Sequence, residues 1–516
     1  MSDTPRALSR RRFLGGTLAA GAAAGIGPWG PVHAQPARKT LIYAKNEDIG
    51  QLNPYFVNHG VFEALNNHIQ EPLVRFDYEK RAWEPVLAES WTVEDGGRTW
   101  VFRLREAKFH SGEPFTAADV KYTFETVVKE KSAGPIKANL FMIESIAVRD
   151  PRTVAIRCKG PTPGMLSYIQ SRPSIMSRAL GEKVGFDEAH KKMVGTGPYK
   201  FVEYARDEHL VMERNPDYWG QKAKIERVVY RPIPDNTARV TALRAGQVDA
   251  MAQVAPFDIA KLQQVPDITL HSVRAARIHM LFMNPITPPL QNRLVRLAIH
   301  HGIDVDTILK TVLEGRAFRL SQLCGPSQVM THDPDLKPLP YDPERAKKLL
   351  AQAGYPNGVD IEFHDYPAYA EYKPMGLAVA EQLKKVGVRV DIKPLETSVF
   401  RRRWFAGELS FYFIPYGNVA EDASAFLKAY FRSDQDRRSR YKNPEADALF
   451  DQQEAELDTR KRQALNRRLM RLLQEDSPAV PFHNPLYTVG TRKKVVMAPG
   501  TPTGGEFVWF WKMDIA

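Results

Sequence analysis

The chain has 516 residues, 43% of them hydrophobic and 26% charged, with a formal net charge of +12 and two cysteines. That length supports two or more domains, and the balance is ordinary for a soluble globular protein. No low-complexity tract or short-period repeat is present, and after the first ~34 residues no apolar run is long enough for a membrane helix.

In chain order, Ser9-Arg10-Arg11-Arg12-Phe13-Leu14 comes first and forms a twin-arginine export signature. An uncharged run rich in Ala and Gly follows from Leu14 to Ile26, and Val32-His33-Ala34 offers small residues ahead of a cut before Gln35. Charged, apolar, then small is the order of a cleavable export signal, here too short to span a bilayer. Such a signal carries a protein out already folded and places it outside the cytoplasm. No cysteine stands at the cleavage site to carry a lipid anchor. Gly25-Ile26-Gly27-Pro28-Trp29-Gly30 matches a nucleotide-loop spacing, but no strand precedes it and it lies in the segment to be removed.

Beyond the signal the first third reads as strands and turns with one helix. Asp95-Gly96-Gly97 is a turn, and Trp100, Phe102 and Leu104 alternate with Val101, Arg103 and Arg105 as in a half-buried strand. Thr116-Ala117-Ala118-Asp119 is a capping box that predicts a helix to about Lys129. Pro234-Asp235-Asn236-Thr237 opens a short helix ending near Gly246, and Val248–Met251 follows as a strand. A changeover falls near Phe282-Met283-Asn284-Pro285, and a helix resumes at Leu294. Asp342-Pro343-Glu344 is a strong helix start, with Ala346, Leu349, Leu350 and Ala353 buried and Gly354 as the stop. Met375, Val379, Leu383 and Val386 mark the next helix, and Val388, Val390 and Ile392 alternate as a strand. Helix and strand in alternation predict an α/β layer with a mostly parallel sheet. The aromatic run Phe507–Trp511 reads as a buried C-terminal strand returning to the first lobe.

Arg6, Arg10, Arg11 and Arg12 against Asp3 account for +3 of the charge, leaving +9 beyond Ala34. Basic residues cluster at Arg401–Arg403, Arg437-Arg438 and Arg460–Arg471. Leu465, Leu469 and Leu472 run between the last set, which predicts an amphipathic helix with an outward basic face and no nucleic-acid partner. Cys158 and Cys324 lie far apart, and their pairing is open. No C-x-x-C, H-E-x-x-H, P-loop or G-x-S-x-G motif is present, so neither a metal-thiolate nor a standard hydrolase site is supported.

Several segments together resemble the family 5 extracellular solute-binding proteins of ABC transporters, the oligopeptide, dipeptide and nickel class. They are Glu84–Trp91, Phe109–Val120, Gly195-Thr196-Gly197-Pro198-Tyr199, Asn215-Pro216-Asp217-Tyr218-Trp219-Gly220, Leu243–Asp249, Val295–Ile299 and Tyr341–Pro356, in family order over nearly the whole mature chain. Most read as structural, with Gly195 and Gly197 permitting a tight turn and Trp219 packing. The resemblance implies an α/β fold of the type II periplasmic binding proteins: two lobes, with an extra subdomain inserted in lobe I. After a signal at 1–34, lobe I would cover 38–278 plus 485–516, with the inserted subdomain at about 74–190. Lobe II would cover 279–484. It also implies a periplasmic monomer without catalysis, cofactor or metal, handing a small-molecule or peptide ligand to an ABC permease in the inner membrane.

Dipeptide-binding members hold the ligand's amino group with an aspartate in a lobe II loop. The matching stretch is Pro415–Ala423, where Asp422 keeps one aspartate, Val419 takes the anchoring position and Glu421 offers a substitute. The arginine that meets the peptide carboxylate would fall near Tyr366, in a stretch without arginine. A peptide held through its backbone and an opine-like, sugar-like or aromatic solute both remain open. Tyr366, Tyr369, Trp404 and Tyr416 are candidates for stacking, and Asn53, Asn284, Asn418, Glu421 and Asp422 complete the candidate set. His59, His68, His364 and His483 are scattered and read as structural, against nickel. Enzymatic readings, such as a hydrolase built on Glu421 and Asp422, are weak because adjacent acids point apart. A chaperone or signalling receptor on the same lobes is a third reading.

Overall fold

The strand Ala479–Arg492 organises the molecule. At ~3.3 Å per residue its 14 residues span about 45 Å, enough to serve two structural units. Its C-terminal half pairs antiparallel with Ala250–Met251 and Ile268–Arg274, and its N-terminal half with Ile278–Met283 and Ala317–Arg319. The computed structural model describes residues 38–53, 55, 60–129, 137, 140–170, 173–416, 422–434, 439–501 and 508–516. The signal reading at 1–34 therefore lies outside the described residues.

On one side, Thr40–Lys45 runs parallel to Arg227–Pro232 and to Ala250–Met251, and the sheet continues through His209–Arg214 to Tyr199–Ala205. On the other, Ile278–Met283 pairs with Phe411–Tyr416, which meets Val359–Asp365, itself parallel to Val388–Pro394. These strands form one twelve-stranded sheet. Separate cores sit on the two sides: one around Tyr43, Tyr199, Tyr230 and Val489, the other around Phe282, Phe363, Phe411 and Leu469. A further core, with Phe102, Phe124 and Ile156, packs under the antiparallel sheet of Ala88–Glu94, Thr99–Leu104, Thr153–Cys158 and Ile143–Asp150. The result is two α/β lobes and an added subdomain, joined by strands that pass between the lobes.

Local signals act as expected. Asp342 caps Pro343–Gln352 by accepting from the Arg345 amide at 2.8 Å, and Gly354 takes φ +91° after the helix. Ala117–Lys129 starts from the capping box, with the Thr116 amide and hydroxyl both donating to Asp119 at 2.8 Å. The hydroxyl thus donates to the carboxylate instead of accepting the Asp119 amide. Thr99–Leu104 is a strand, but Val101 is buried too, in a strand flanked on both edges by Ala88–Glu94 and Thr153–Cys158.

Four expectations are corrected. The large sheet is mixed and mostly antiparallel instead of mostly parallel, because Ala479–Arg492 runs against each strand it pairs with. Phe510–Lys512 is a 3-10 turn, and the terminal strand is Met513–Ile515, paired with Val495–Met497 apart from the large sheet. His68 causes the turn: its ring stacks on Phe510 at 4.4 Å and its Nε2 accepts the Phe510 amide. Thr459–Asp476 is the amphipathic helix, yet Arg462 points inward and is buried, because Asp422 waits there as its ion partner. Gly195 and Gly197 have no positive φ. They are required by proximity, since a Cβ on Gly195 would press into the Ile69 carbonyl oxygen and lie 2.7 Å from Gln70 Cα. Cys158 and Cys324 are both buried free thiols.

The glycine segment and the Asn215–Gly220 segment converge on one group, Glu71, whose side chain is fully buried. Thr196 Oγ1 and Trp219 Nε1 each donate to it at 2.9 Å, and Tyr218 Oη donates at 2.7 Å. Burial raises its pKa while these donors oppose the rise. Arg105 stacks over Trp219 at 3.6 Å. These motif residues therefore build a buried polar joint.

His110 closes the same joint, with Nε2 donating to the Gly197 carbonyl at 3.0 Å and Nδ1 accepting the Gly195 amide at 3.3 Å. That geometry needs the neutral ring, and burial lowers its pKa to about 4. The folded value lies below the unfolded one. His110's contribution is therefore complete above pH ~6.5 and is lost as pH falls towards about 4, by up to ~1.4 kcal/mol per pH unit. Glu71, with a raised pKa, pulls the other way, so the informative quantity is a difference. Urea unfolding at pH 7 and pH 4.5 should show the stability gap between wild type and His110→Gln shrinking at the lower pH. A constant gap would contradict a neutral buried His110.

Candidate functional site

Where the two cores face each other, the turn after Thr40–Lys45 meets the segment after Val359–Asp365. Asn46 Nδ2 donates to the Ala368 carbonyl at 2.9 Å. Glu47 pairs with Arg401 at 2.6 Å, with side chains 17% and 28% exposed. Arg401 stands on Thr397–Phe405, whose Phe400 is fully buried in the second core. The pair therefore ties one lobe to the other. Burial opposes the Arg401 charge, but Glu47 and the Tyr366 hydroxyl overcome it and hold the guanidinium above its ordinary range.

Tyr366 is buried, stacked on Phe400 at 4.3 Å and 9°, and its hydroxyl accepts from Arg401 Nε at 3.1 Å. Tyr369 lies 6.2 Å from Tyr366 and 5.0 Å from Tyr372, is half-buried, and accepts from Arg277. Trp404 is half-buried and stacks towards Tyr430 at 6.4 Å, while Tyr416 approaches the same Tyr430 at 6.5 Å. Phe400–Tyr412, Tyr412–Phe282 and Phe282–Tyr430 contacts link the two sets. The four aromatic candidates thus belong to one connected aromatic wall on the second lobe.

The polar candidates separate. Asn284 is fully buried at the end of Ile278–Met283. Its Nδ2 donates to the Leu409 carbonyl at 3.0 Å and its Oδ1 accepts the Arg440 amide at 2.8 Å, so it ties loops together. Asp422 is buried, pairs with Arg462 and accepts from Thr331 Oγ1 at 3.0 Å and the Ser424 amide at 2.8 Å. Asn53 lies on the first lobe and accepts the Tyr55 amide at 2.9 Å. Asn418 and Glu421 lie outside the described residues, as does His59.

Sequence reading missed Arg277 and Arg401. The stretch around Tyr366 contains no arginine, yet both guanidiniums reach its tyrosines from other elements. The available signal was the Arg401–Arg403 cluster, which stands out in the sequence only as one of three basic clusters. His68 packs among aromatic rings, and His364 is a buried strand residue with its pKa pushed down to about 4 by burial.

Comparison with known proteins matches residues 82–438 to the model of the bacterial extracellular solute-binding proteins, family 5, middle region. Heme-binding protein A of Haemophilus influenzae is 26% identical over 476 residues, covering 86% of this chain and 87% of its own. The dipeptide-binding protein of Escherichia coli is 27% identical over 408 residues, covering 73% and 76%. Among solved structures, the ABC transporter-associated periplasmic binding protein DppA of Helicobacter pylori, in complex with the peptide STSA, superposes with a TM-score of 0.83 at 26% identity. That match covers 92% of this chain and 98% of that one.

Proposed function

Since this chain belongs to the family 5 bacterial extracellular solute-binding proteins, we propose that it captures a peptide or peptide-like solute between its lobes and delivers it to an ABC permease in the inner membrane. It works in the periplasm as a monomer, exported folded through the twin-arginine signal and cleaved near Ala34, and it turns nothing over. The observation that carries this reading is the pairing of crossing strands with the Glu47–Arg401 and Asn46–Ala368 contacts between the lobes. Crossing strands supply a hinge, and contacts of this kind exist only when the lobes are together. A ligand that adds further contacts in the closed form shifts the equilibrium towards it.

Arg277 and Arg401 place positive charge beside Tyr366 and Tyr369, where the resemblance expects an arginine for a peptide carboxylate. A solute with a carboxylate and an apolar or aromatic body suits that wall. The aromatic wall also favours a second reading, in which the solute is an opine-like or aromatic acid instead of a peptide.

The test is mass spectrometry of small molecules that co-purify with the native protein, followed by a thermal-unfolding screen of peptides, opine-like acids and sugars. A true ligand at about 100 to 1,000 times its Kd should stabilise the protein by roughly 2.7 to 4 kcal/mol. If no class shifts unfolding, or if a candidate is hydrolysed, the reading fails. Arg401→Ala removes a closed-state contact, so ligand affinity should fall roughly fivefold with unfolding little changed. Calorimetric titration would show it, and unchanged affinity would exclude Glu47–Arg401 from the closing equilibrium.

A further inference from the structure

Beyond solute capture, the geometry points to a site for a divalent transition-metal ion at the crossing strands, built from His279, His483 and Glu371. One donor atom from each of the three lies within 4.8 Å of the other two. His279 and His483 are directly opposed residues on Ile278–Met283 and Ala479–Arg492, and their rings sit 4.4 Å apart. The strand register shifts between His279 and Met280. Such a bulge re-aims side chains and occurs preferentially beside functional sites. Glu371 arrives from the start of Tyr372–Lys384.

Two observations favour an ion over simple packing. Both histidines are only 1% exposed, and among the described residues both ring nitrogens of His279 and Nδ1 of His483 have no hydrogen-bond partner. Buried polar atoms ordinarily find partners, and a shared ion would satisfy one orphan nitrogen on each of the two facing rings. The donor chemistry also selects. Two imidazoles and one carboxylate suit zinc, nickel or copper and exclude magnesium and calcium, which take oxygen ligands. Ligands of a tetrahedral zinc at ~2.1 Å lie about 3.4 Å apart, so the donors must draw in by roughly 1 Å. Three protein donors leave a fourth position for water or solute oxygen. Tyr369 and Tyr372 pack edge-on against His279 at 5.2 and 5.4 Å and hold its ring in place. Arg277 adds a nearby positive charge. The histidines read as scattered in sequence because the opposing partner, His279, stands in an apolar strand.

The test uses the mature protein, stripped by chelator and titrated with zinc chloride in competition with a chromophoric chelator. The wild type should take up one zinc per chain, raise its melting temperature with zinc and ignore magnesium. Cobalt in place of zinc should give an intense tetrahedral visible spectrum. Glu371→Gln, at a half-buried position that leaves the strands intact, should weaken zinc binding about tenfold or more. His279→Gln and His483→Gln should abolish the cobalt spectrum. Should either histidine variant fail to fold, Glu371→Gln decides alone. No stoichiometric zinc in the wild type, or equal affinity in wild type and Glu371→Gln, would overturn the proposal.

Discussion

Asp422→Ala is expected to lower the unfolding free energy by about 3–5 kcal/mol. Asp422 is 4% exposed and Arg462 is 7% exposed, so their attraction operates away from water. Thr331 Oγ1 and the Ser424 amide fill the remaining acceptor sites of the carboxylate, and Arg462 Nε donates to Gln453 at 3.3 Å. Removing the carboxylate leaves a guanidinium buried without a counter-charge, the costly half of a broken pair. Removing both charges is different: Asp422→Leu with Arg462→Met should recover much of the loss, because an apolar pair of similar volume avoids desolvating two ions. Urea unfolding at pH 7 measures both. A single-variant loss below about 1 kcal/mol would contradict a buried structural pair. It would also return Asp422 to the list of groups available for a ligand.

Gly195→Ala should cost about 3 kcal/mol, near the upper end for overpacking, since the obstacle is backbone. The added methyl would meet the Ile69 carbonyl oxygen and Gln70 Cα, neither of which can rotate away. Any retreat disturbs the Gly197 amide bond to Ile69 at 3.0 Å and the Thr196 bond to Glu71. Gly160 supplies the control: among the described residues a Cβ there meets nothing within 4 Å, so Gly160→Ala should be within about 0.5 kcal/mol of wild type. Thermal and urea unfolding of the two variants compare them directly. Equal stability would mean that the close approach at Gly195 relaxes freely.

Local chemistry was legible in the sequence because it is decided within a few residues. The Thr116–Asp119 box, the Asp342 cap and the Gly354 stop depend only on neighbours, and each stands where the sequence places it. The pattern of family segments also carried the two-lobed architecture. Groups that acquire meaning from distant partners were not legible. Arg462 looks like the arginines around it until Asp422 is brought to it. Glu71 has no local mark, and its role exists only once Thr196, Tyr218 and Trp219 converge. Phe510 turned out of a strand because His68 holds its amide.

In the candidate site, the aromatic residues come together while the polar ones separate. Tyr366, Tyr369, Trp404 and Tyr416 join one wall because large rings on one lobe share its core. Asn284 and Asp422 bond within the fold, as short buried polar groups must. Charge at the wall comes from Arg277 and Arg401, positions that sequence alignment around Tyr366 could not supply.

Closure on a captured solute is the central claim, and small-angle X-ray scattering of the mature protein tests it most directly. Titrated with the solute identified from the native preparation, the protein should become more compact in a saturable one-to-one manner, with the solute recovered unchanged. Arg401→Ala should need more solute to reach the same compact state. Scattering that stays the same at saturating solute, or a solute that is chemically altered, would contradict a two-lobed capture protein.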